Sequence, residues 1–184
     1  MRIITGLRRG RKLKAPPGDA VRPTPERVKE ALFNILQFSL EDRVFLDLFA
    51  GTGQIGLEAL SRGAKRCVFV DNSKLSLNVL RQNIAAADFA DASHVVEGDF
   101  STFLLSNREK FDLVFLDPPY RTGLLQRALP LVTEHMQPGG AVICEHPAEE
   151  ELPEEAGTFR KAKEYRYGKI KLTVYRREDP SGAV

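Results

Sequence analysis

The chain has no tryptophan, two cysteines, two methionines and three histidines in 184 residues. So few cysteines exclude a disulfide framework, and Cys67 and Cys144 stand singly in apolar stretches, without the spacing of a metal site. Both read as buried thiols, and no metal is expected. Long apolar runs are also missing: none approaches the roughly 20 residues that cross a bilayer. Met1-Arg2-Ile3-Ile4-Thr5-Gly6 lacks the long apolar stretch of a secretory signal. A cytoplasmic protein without a membrane partner is expected. Repeats and low-complexity tracts are absent, and the length suits one domain with a small appendage.

Net charge is almost lacking, at +2, but it is unevenly spread. Residues 1–30 hold nine Lys or Arg against three acids, and residues 158–177 hold eight against Glu164 alone. Two basic ends around an acidic middle suggest a polyanion-binding face, provided the ends meet in space. Arg8, Arg9, Arg11, Lys12, Arg22, Arg166 and Lys169 are the candidate contacts to nucleic-acid phosphates.

The pattern opens with a basic hairpin, Arg2 to Thr5 and Arg11 to Lys14, around Gly6 and Gly10. Thr24-Pro25-Glu26-Arg27 then starts a helix, with Thr24 as its cap. From Val44 onward strands and helices alternate. Strands are expected at 44–49, 66–70, 94–97, 113–116 and 141–145, and helices at 54–62, 74–87, 100–105 and 124–134. Gln137-Pro138-Gly139-Gly140 reads as a turn and 149–155 as an acidic loop. Residues 161–167 and 169–176 alternate around Gly168 as a terminal antiparallel hairpin. This is an α/β chain with a doubly wound, mostly parallel, seven-stranded sheet, a C-terminal antiparallel hairpin and a small N-terminal β-hairpin and helix extension. Residues 1–38 form the extension and residues 39–178 the main domain.

Chemistry collects at strand ends. Asp47-Leu48-Phe49-Ala50-Gly51-Thr52-Gly53 is a glycine-rich turn into a helix. Its glycines let a ligand approach the backbone, and the helix start offers N–H groups. Asp71 lies 20 residues past Gly51, where a carboxylate accepts ribose hydroxyls. A pyrophosphate would be repelled by Asp47, whereas a ligand with a cationic amino-acid end would be drawn to it. S-adenosylmethionine (SAM) has a ribose, an adenine, a sulfonium and an ammonium. Gly98-Asp99-Phe100 follows the third strand: Asp99 either bonds the adenine amine or caps the next helix, and Phe100 flanks the ring. Phe49, Gly51, Gly53, Asn72 and Gly98 complete the expected cofactor wall.

Asp117-Pro118-Pro119-Tyr120 ends another apolar strand. A carboxylate and a backbone carbonyl can hold the hydrogens of an exocyclic amine and help localise its lone pair. The prolines stiffen the turn and remove competing donors. An aromatic ring can stack on a base, worth roughly 1–3 kcal/mol. His94, His135 and His146 are not needed as bases, because the proton can leave after transfer.

On these residues the chain resembles the small-subunit ribosomal RNA guanine-N2 methyltransferases, the RsmD family, over nearly its full length. Arg2-Ile3-Ile4-Thr5-Gly6, Arg9-Gly10-Arg11-Lys12-Leu13, Arg22-Pro23-Thr24 and Arg27 to Asn34 are similar to that family's opening. Asp47 to Gly53, Gly56 to Ala64 and Asp117 to Tyr120 are similar to its SAM loop and catalytic motif, and Tyr167-Gly168 fits its last hairpin. Gln54-Ile55 departs from the small or apolar residues expected there. The resemblance implies a bacterial SAM-dependent enzyme that methylates a guanine N2 of 16S rRNA, on the assembled or assembling 30S subunit, and a monomer is the default. Asp-Pro-Pro-Tyr also occurs in DNA adenine-N6 methyltransferases, so it does not name the base. The glycine loop alone would also suit a nicotinamide-dependent oxidoreductase. The basic ends would suit a non-catalytic RNA-binding assembly factor with a relic SAM site.

Overall fold

The computed structural model describes residues 1–16, 24–36 and 39–177. Its strands are β1 (Val44–Asp47), β2 (Arg66–Asp71), β3 (Ser93–Glu97), β4 (Phe111–Leu116), β5 (Met136–Pro147), β6 (Glu155–Ala156), β7 (Phe159–Tyr167) and β8 (Ile170–Arg177). They form one sheet in the order β3-β2-β1-β4-β5-β8-β7-β6. The first five pair in parallel, and β8, β7 and β6 continue the sheet antiparallel. Helices α1 (Glu26–Leu36), α2 (Gln54–Ser61) and α3 (Lys74–Ala87) cover one face; α4 (Phe100–Ser106) and α5 (Leu124–Thr133) cover the other.

The layering follows from side-chain alternation. Phe45, Phe69, Phe115 and Ile143 point to α1, α2 and α3, while Leu46, Val68, Val114 and Val142 point to α4 and α5. Both faces of each central strand are covered, so the strands read as continuous apolar runs. The chain reverses direction across the sheet between β1 and β4, and their carboxyl ends form the switch point where open α/β sheets bind ligands.

Four expectations need correction. The sheet has eight strands, because the acidic stretch contains β6, a two-residue edge strand that buries Ala156 against Phe159. The N-terminal hairpin is present but shorter than expected: Arg2 bridges Lys12 antiparallel, Ile3 N–H donates to the Arg11 carbonyl at 2.9 Å and Leu13 N–H to the Met1 carbonyl at 3.0 Å. Pairing stops after Ile3 because the next two amides are used elsewhere: Ile4 and Thr5 N–H donate to the Glu58 carboxylate at 2.7 and 3.0 Å. Gln137 to Gly140 is not a turn but lies inside β5, where β4 and β5 shift register between Phe111 and Leu113, and Gly139, at φ 76°, takes a left-handed conformation. Thr24 directs its hydroxyl to Asp117 at 3.4 Å, and α1 begins at Glu26.

Glu58 is fully buried on α2 and anchors the N-terminal segment. Besides the two amides it meets Arg62 at 2.8 Å and Lys29 at 3.4 Å. Lys29 in turn donates to the Arg2 carbonyl at 2.6 Å. A second clamp is Asn83 of α3, which exchanges bonds with the Lys14 backbone and donates to the Thr52 carbonyl at 3.0 Å. The N-terminal segment is thus tied through Asn83 to the glycine-rich loop. Ile3 and Leu13 join the same apolar cluster as α1 and the sheet.

Candidate active site

A cleft of about 530 Å³ opens over the carboxyl ends of the parallel strands. Asp47, Asp71, Asp99 and Asp117 all reach its wall, with Phe49, Gly51, Asn72, Gly98, Phe100, Pro118, Pro119 and Tyr120. Gly53 is not in that wall. At φ 82° it turns the chain into α2, and a Cβ there would lie 2.2 Å from Leu80 Cδ1. Its contribution is to the shape of the loop.

Asp47 is 2% exposed and accepts the Gly56 N–H at 3.0 Å. Burial pushes its carboxyl up to about 7; the Gly56 bond opposes this and the nearby Asp71 charge adds to it. Asp71 accepts Gly51 N–H on one oxygen and Ser73 N–H on the other, both at 2.8 Å. It therefore shapes the glycine loop as well as facing the cleft. Asp99 does cap α4: Ser101 N–H, Thr102 N–H and the Ser101 hydroxyl all bond to its Oδ1. The Ser101 hydroxyl bond is the largest cause holding the Asp99 carboxyl below the ordinary range. Phe49 and Phe100 pack with centroids 5.4 Å apart, and the Arg127 guanidinium lies 5.6 Å over Phe100.

Asp117 directly follows β4, whose last residue, Leu116, pairs with Cys144 of β5. Burial, then the charges of Glu145 and Asp47, hold its carboxyl well above the ordinary value, while the Thr24 hydroxyl pulls the other way. The Tyr120 hydroxyl donates to Glu145 Oε1 at 3.0 Å. After Tyr120 the chain turns sharply, with Arg121 left-handed at φ 60° and the Thr122 hydroxyl donating to the Pro119 carbonyl at 2.6 Å. Glu145 is a cleft residue that the sequence pattern does not single out. An acid inside the buried run Ile143-Cys144-Glu145-His146 was the available signal for Glu145. Thr24 ends Arg22-Pro23-Thr24, a turn before the helix that by sequence either closes over the cofactor or contacts RNA, and its side chain belongs to the cleft wall.

The candidate RNA contacts divide. Arg8 is engaged by the body of the protein: it pairs with Asp88, donates to the Ala87 carbonyl at 2.9 Å and lies over Phe89. Arg9, Arg11, Lys12 and Lys169 are exposed, and Arg166 is exposed with its Nε on the Gly168 carbonyl. Arg22 lies outside the described residues. The two basic ends do converge on α1. Arg2 pairs with Glu26, and a Cβ on Gly168 would lie 3.6 Å from the Arg27 guanidinium. Thr24 and Pro25 before α1, and Ile170 after the hairpin tip, belong to the cleft wall.

The family described as conserved hypothetical protein 95 matches residues 1–176. A relative from Escherichia coli named ribosomal RNA small subunit methyltransferase D is 34% identical over 180 residues, 97% of this chain and 90% of its own length. A relative of the same name from Haemophilus influenzae is 39% identical over 150 residues, 79% of this chain and 78% of its own. The chain belongs to the ribosomal RNA small subunit methyltransferase D family. The fold agrees: a solved Escherichia coli structure, described as a proposed methyltransferase, is 35% identical with a TM-score of 0.87, covering 97% of this chain and 98% of that one.

Proposed function

We propose that this protein transfers a methyl group from SAM to the exocyclic N2 of a guanine in small-subunit 16S rRNA. The observation that carries it is the placement of Asp117, Pro118, Pro119 and Tyr120 in one cleft with the glycine loop and the strand-end acids. That cleft suits a cationic nucleoside. Asp47 supplies negative charge in a buried position, Asp71 a carboxylate at the end of β2, and Phe49 and Phe100 apolar walls. A Cβ on Gly51 or Gly98 would meet nothing within 4 Å, so the backbone there faces open space that a ligand can fill.

The residues then divide the work. Asp47, Asp71, Asp99, Asn72, Phe49, Phe100, Gly51 and Gly98 hold SAM, with Gly53 shaping the loop. SAM supplies an electrophilic methyl on a positively charged sulfur. Asp117 and the Pro118 carbonyl accept the N2 hydrogens and turn the amine lone pair toward the methyl. Tyr120 stacks on the base, held by its bond to Glu145. Pro119 keeps the turn rigid. The surplus proton left on N2 passes to Asp117 or to solvent. No strong base is needed, and most of the rate gain comes from orientation.

Residues 1–38 act as the RNA-binding extension, and residues 39–178 as the methyltransferase domain. Arg9, Arg11, Lys12, Arg166 and Lys169 contact phosphates, which position the RNA without reading its sequence. Arg22 belongs with them by sequence. The target guanine is unstacked into the cleft. The protein works as a monomer in the cytoplasm, on the assembled or assembling 30S subunit. Among the described residues no helix is long and apolar enough to cross a membrane.

The test uses purified protein, methyl-labelled SAM and three substrates: unmethylated small subunits, naked small-subunit rRNA and duplex DNA. Products are digested to nucleosides. Label in N2-methylguanosine is expected, strongest with subunits. Label in N6-methyladenine of DNA, or no label while SAM binds, overturns the proposal.

A further inference from the structure

Glu145 stands outside every motif the sequence offers, yet it lines the cleft beside Asp117 and Tyr120. We propose that Glu145 selects guanine: its carboxylate accepts the ring N1–H while Asp117 holds the neighbouring N2 hydrogens. This rests on the guanine-N2 reading above.

The placement comes from register. Leu116 of β4 pairs with Cys144 of β5 in parallel, so Asp117 and Glu145 are the next residues on adjacent strands. Such strands lie about 4.8 Å apart. Both side chains reach the cleft wall with Tyr120, and Glu145 is 3% exposed. The Tyr120 hydroxyl donates to Glu145 Oε1, fixing this carboxylate relative to the ring proposed to stack on the base. Glu145 also raises the Asp117 carboxyl, second only to burial, so the two acids feel each other across the gap.

The chemistry then distinguishes the bases. Guanine presents two donor positions side by side, N1–H and N2–H₂. Two carboxylates side by side are the complementary set. Adenine presents N6–H₂ beside a bare N1 lone pair, which would face the Glu145 carboxylate without a hydrogen between them. A site built around a donor rejects an analogue that lacks it far more strongly than a methylene is rejected. In the guanine complex each acid receives hydrogens from the base.

The test needs a base that keeps the N2 amine but lacks N1–H. 2,6-Diaminopurine meets this. It is placed by ligation of a synthetic fragment at the nucleotide that the labelling experiment identifies. Wild-type protein should prefer guanine over 2,6-diaminopurine by at least about 100-fold in kcat/KM. In Glu145→Gln the amide oxygen still accepts from Tyr120, while the amide N–H₂ suits a bare N1. This variant should lose about 100-fold on guanine and bring the preference to about one or below, with SAM affinity within a few-fold as evidence of an intact cleft. Tyr120→Phe removes the Tyr120–Glu145 bond but keeps both the ring and the carboxylate. It should slow turnover and leave the preference for guanine in place. A Glu145→Gln variant with the wild-type preference overturns the proposal. So does a Tyr120→Phe variant that loses the preference to the same extent, because Glu145 would then act only by holding Tyr120. Wild-type protein that labels no guanine N2 overturns the parent reading instead, and this one with it.

Discussion

Asp47 should make SAM binding depend on pH near neutrality. Its carboxyl is pushed up to about 7 from an ordinary 3.8, mainly by burial. In the empty cleft, about one in eleven molecules is ionised at pH 6 and about nine in ten at pH 8, from a single titration. A ligand carrying an ammonium and a sulfonium favours the ionised form and so releases a proton on binding. The Kd should therefore fall by roughly tenfold from pH 6 to pH 8. Calorimetry in buffers of different ionisation enthalpy would register the released proton directly. Asp47→Asn should bind SAM more weakly at pH 8 and lose most of the slope. The free protein must show the opposite trend in stability. The folded state binds the Asp47 proton more tightly than the unfolded chain, so the associated stability is full below about pH 4 and is lost as pH rises through 7. Three units at about 1.4 kcal/mol each set the loss near 4 kcal/mol. Asp117 is raised too and adds in the same direction. SAM should consequently raise Tm more at pH 8 than at pH 6. A Kd that is flat across this range, or an equal slope in Asp47→Asn, would refute the reasoning.

Other expectations concern neighbouring parts of the molecule. Asp117→Asn should cut turnover by at least about 100-fold while SAM affinity stays within a few-fold, measured by single-turnover methylation and calorimetry. Wild-type turnover should rise with pH on its acid limb, since Asp117 must shed its proton to accept the N2 hydrogens. Glu58→Ala leaves Lys29, Arg62 and two amides without their buried acceptor and should cost about 3–5 kcal/mol in urea unfolding. The triple variant Arg9→Glu, Arg11→Glu, Lys12→Glu should raise KM for the RNA, reduce its salt dependence and leave SAM binding unchanged, read from KM across a salt series.

The residues that could be read in advance share one property: their role is local. Asp47, Asp71, Asp99 and Asp117 each sit at or just after the end of an apolar strand, and in a parallel sheet that position alone puts a side chain on the ligand side. Burial on both faces makes those strands continuous apolar runs, so their ends are sharp in the sequence. The N-terminal hairpin is shorter than its alternation suggests for the complementary reason. Alternation and two glycines suggest strands, but Ile4 and Thr5 give their amides to Glu58, more than fifty residues away. No local pattern records that bond. Asp99 shows a third case, in which one carboxylate serves a helix start and a cleft wall at once, and sequence can only offer both uses.

Thr24 and Glu145 required pairing information. Thr24 matters because α1 delivers it to Asp117, 93 residues on, and Glu145 because β5 runs beside β4 with Cys144 against Leu116. A one-residue slip of β5 would send Glu145 into the apolar layer under α5 and bring Cys144 or His146 to the cleft. Register therefore decides which base edge the cleft can read. The motif at Asp117 supplies chemistry for any exocyclic amine, whereas the neighbouring strand supplies the acceptor that separates one purine from another. Substrate choice in this fold can then change through one residue at the end of β5 while Asp117 to Tyr120 stays as it is.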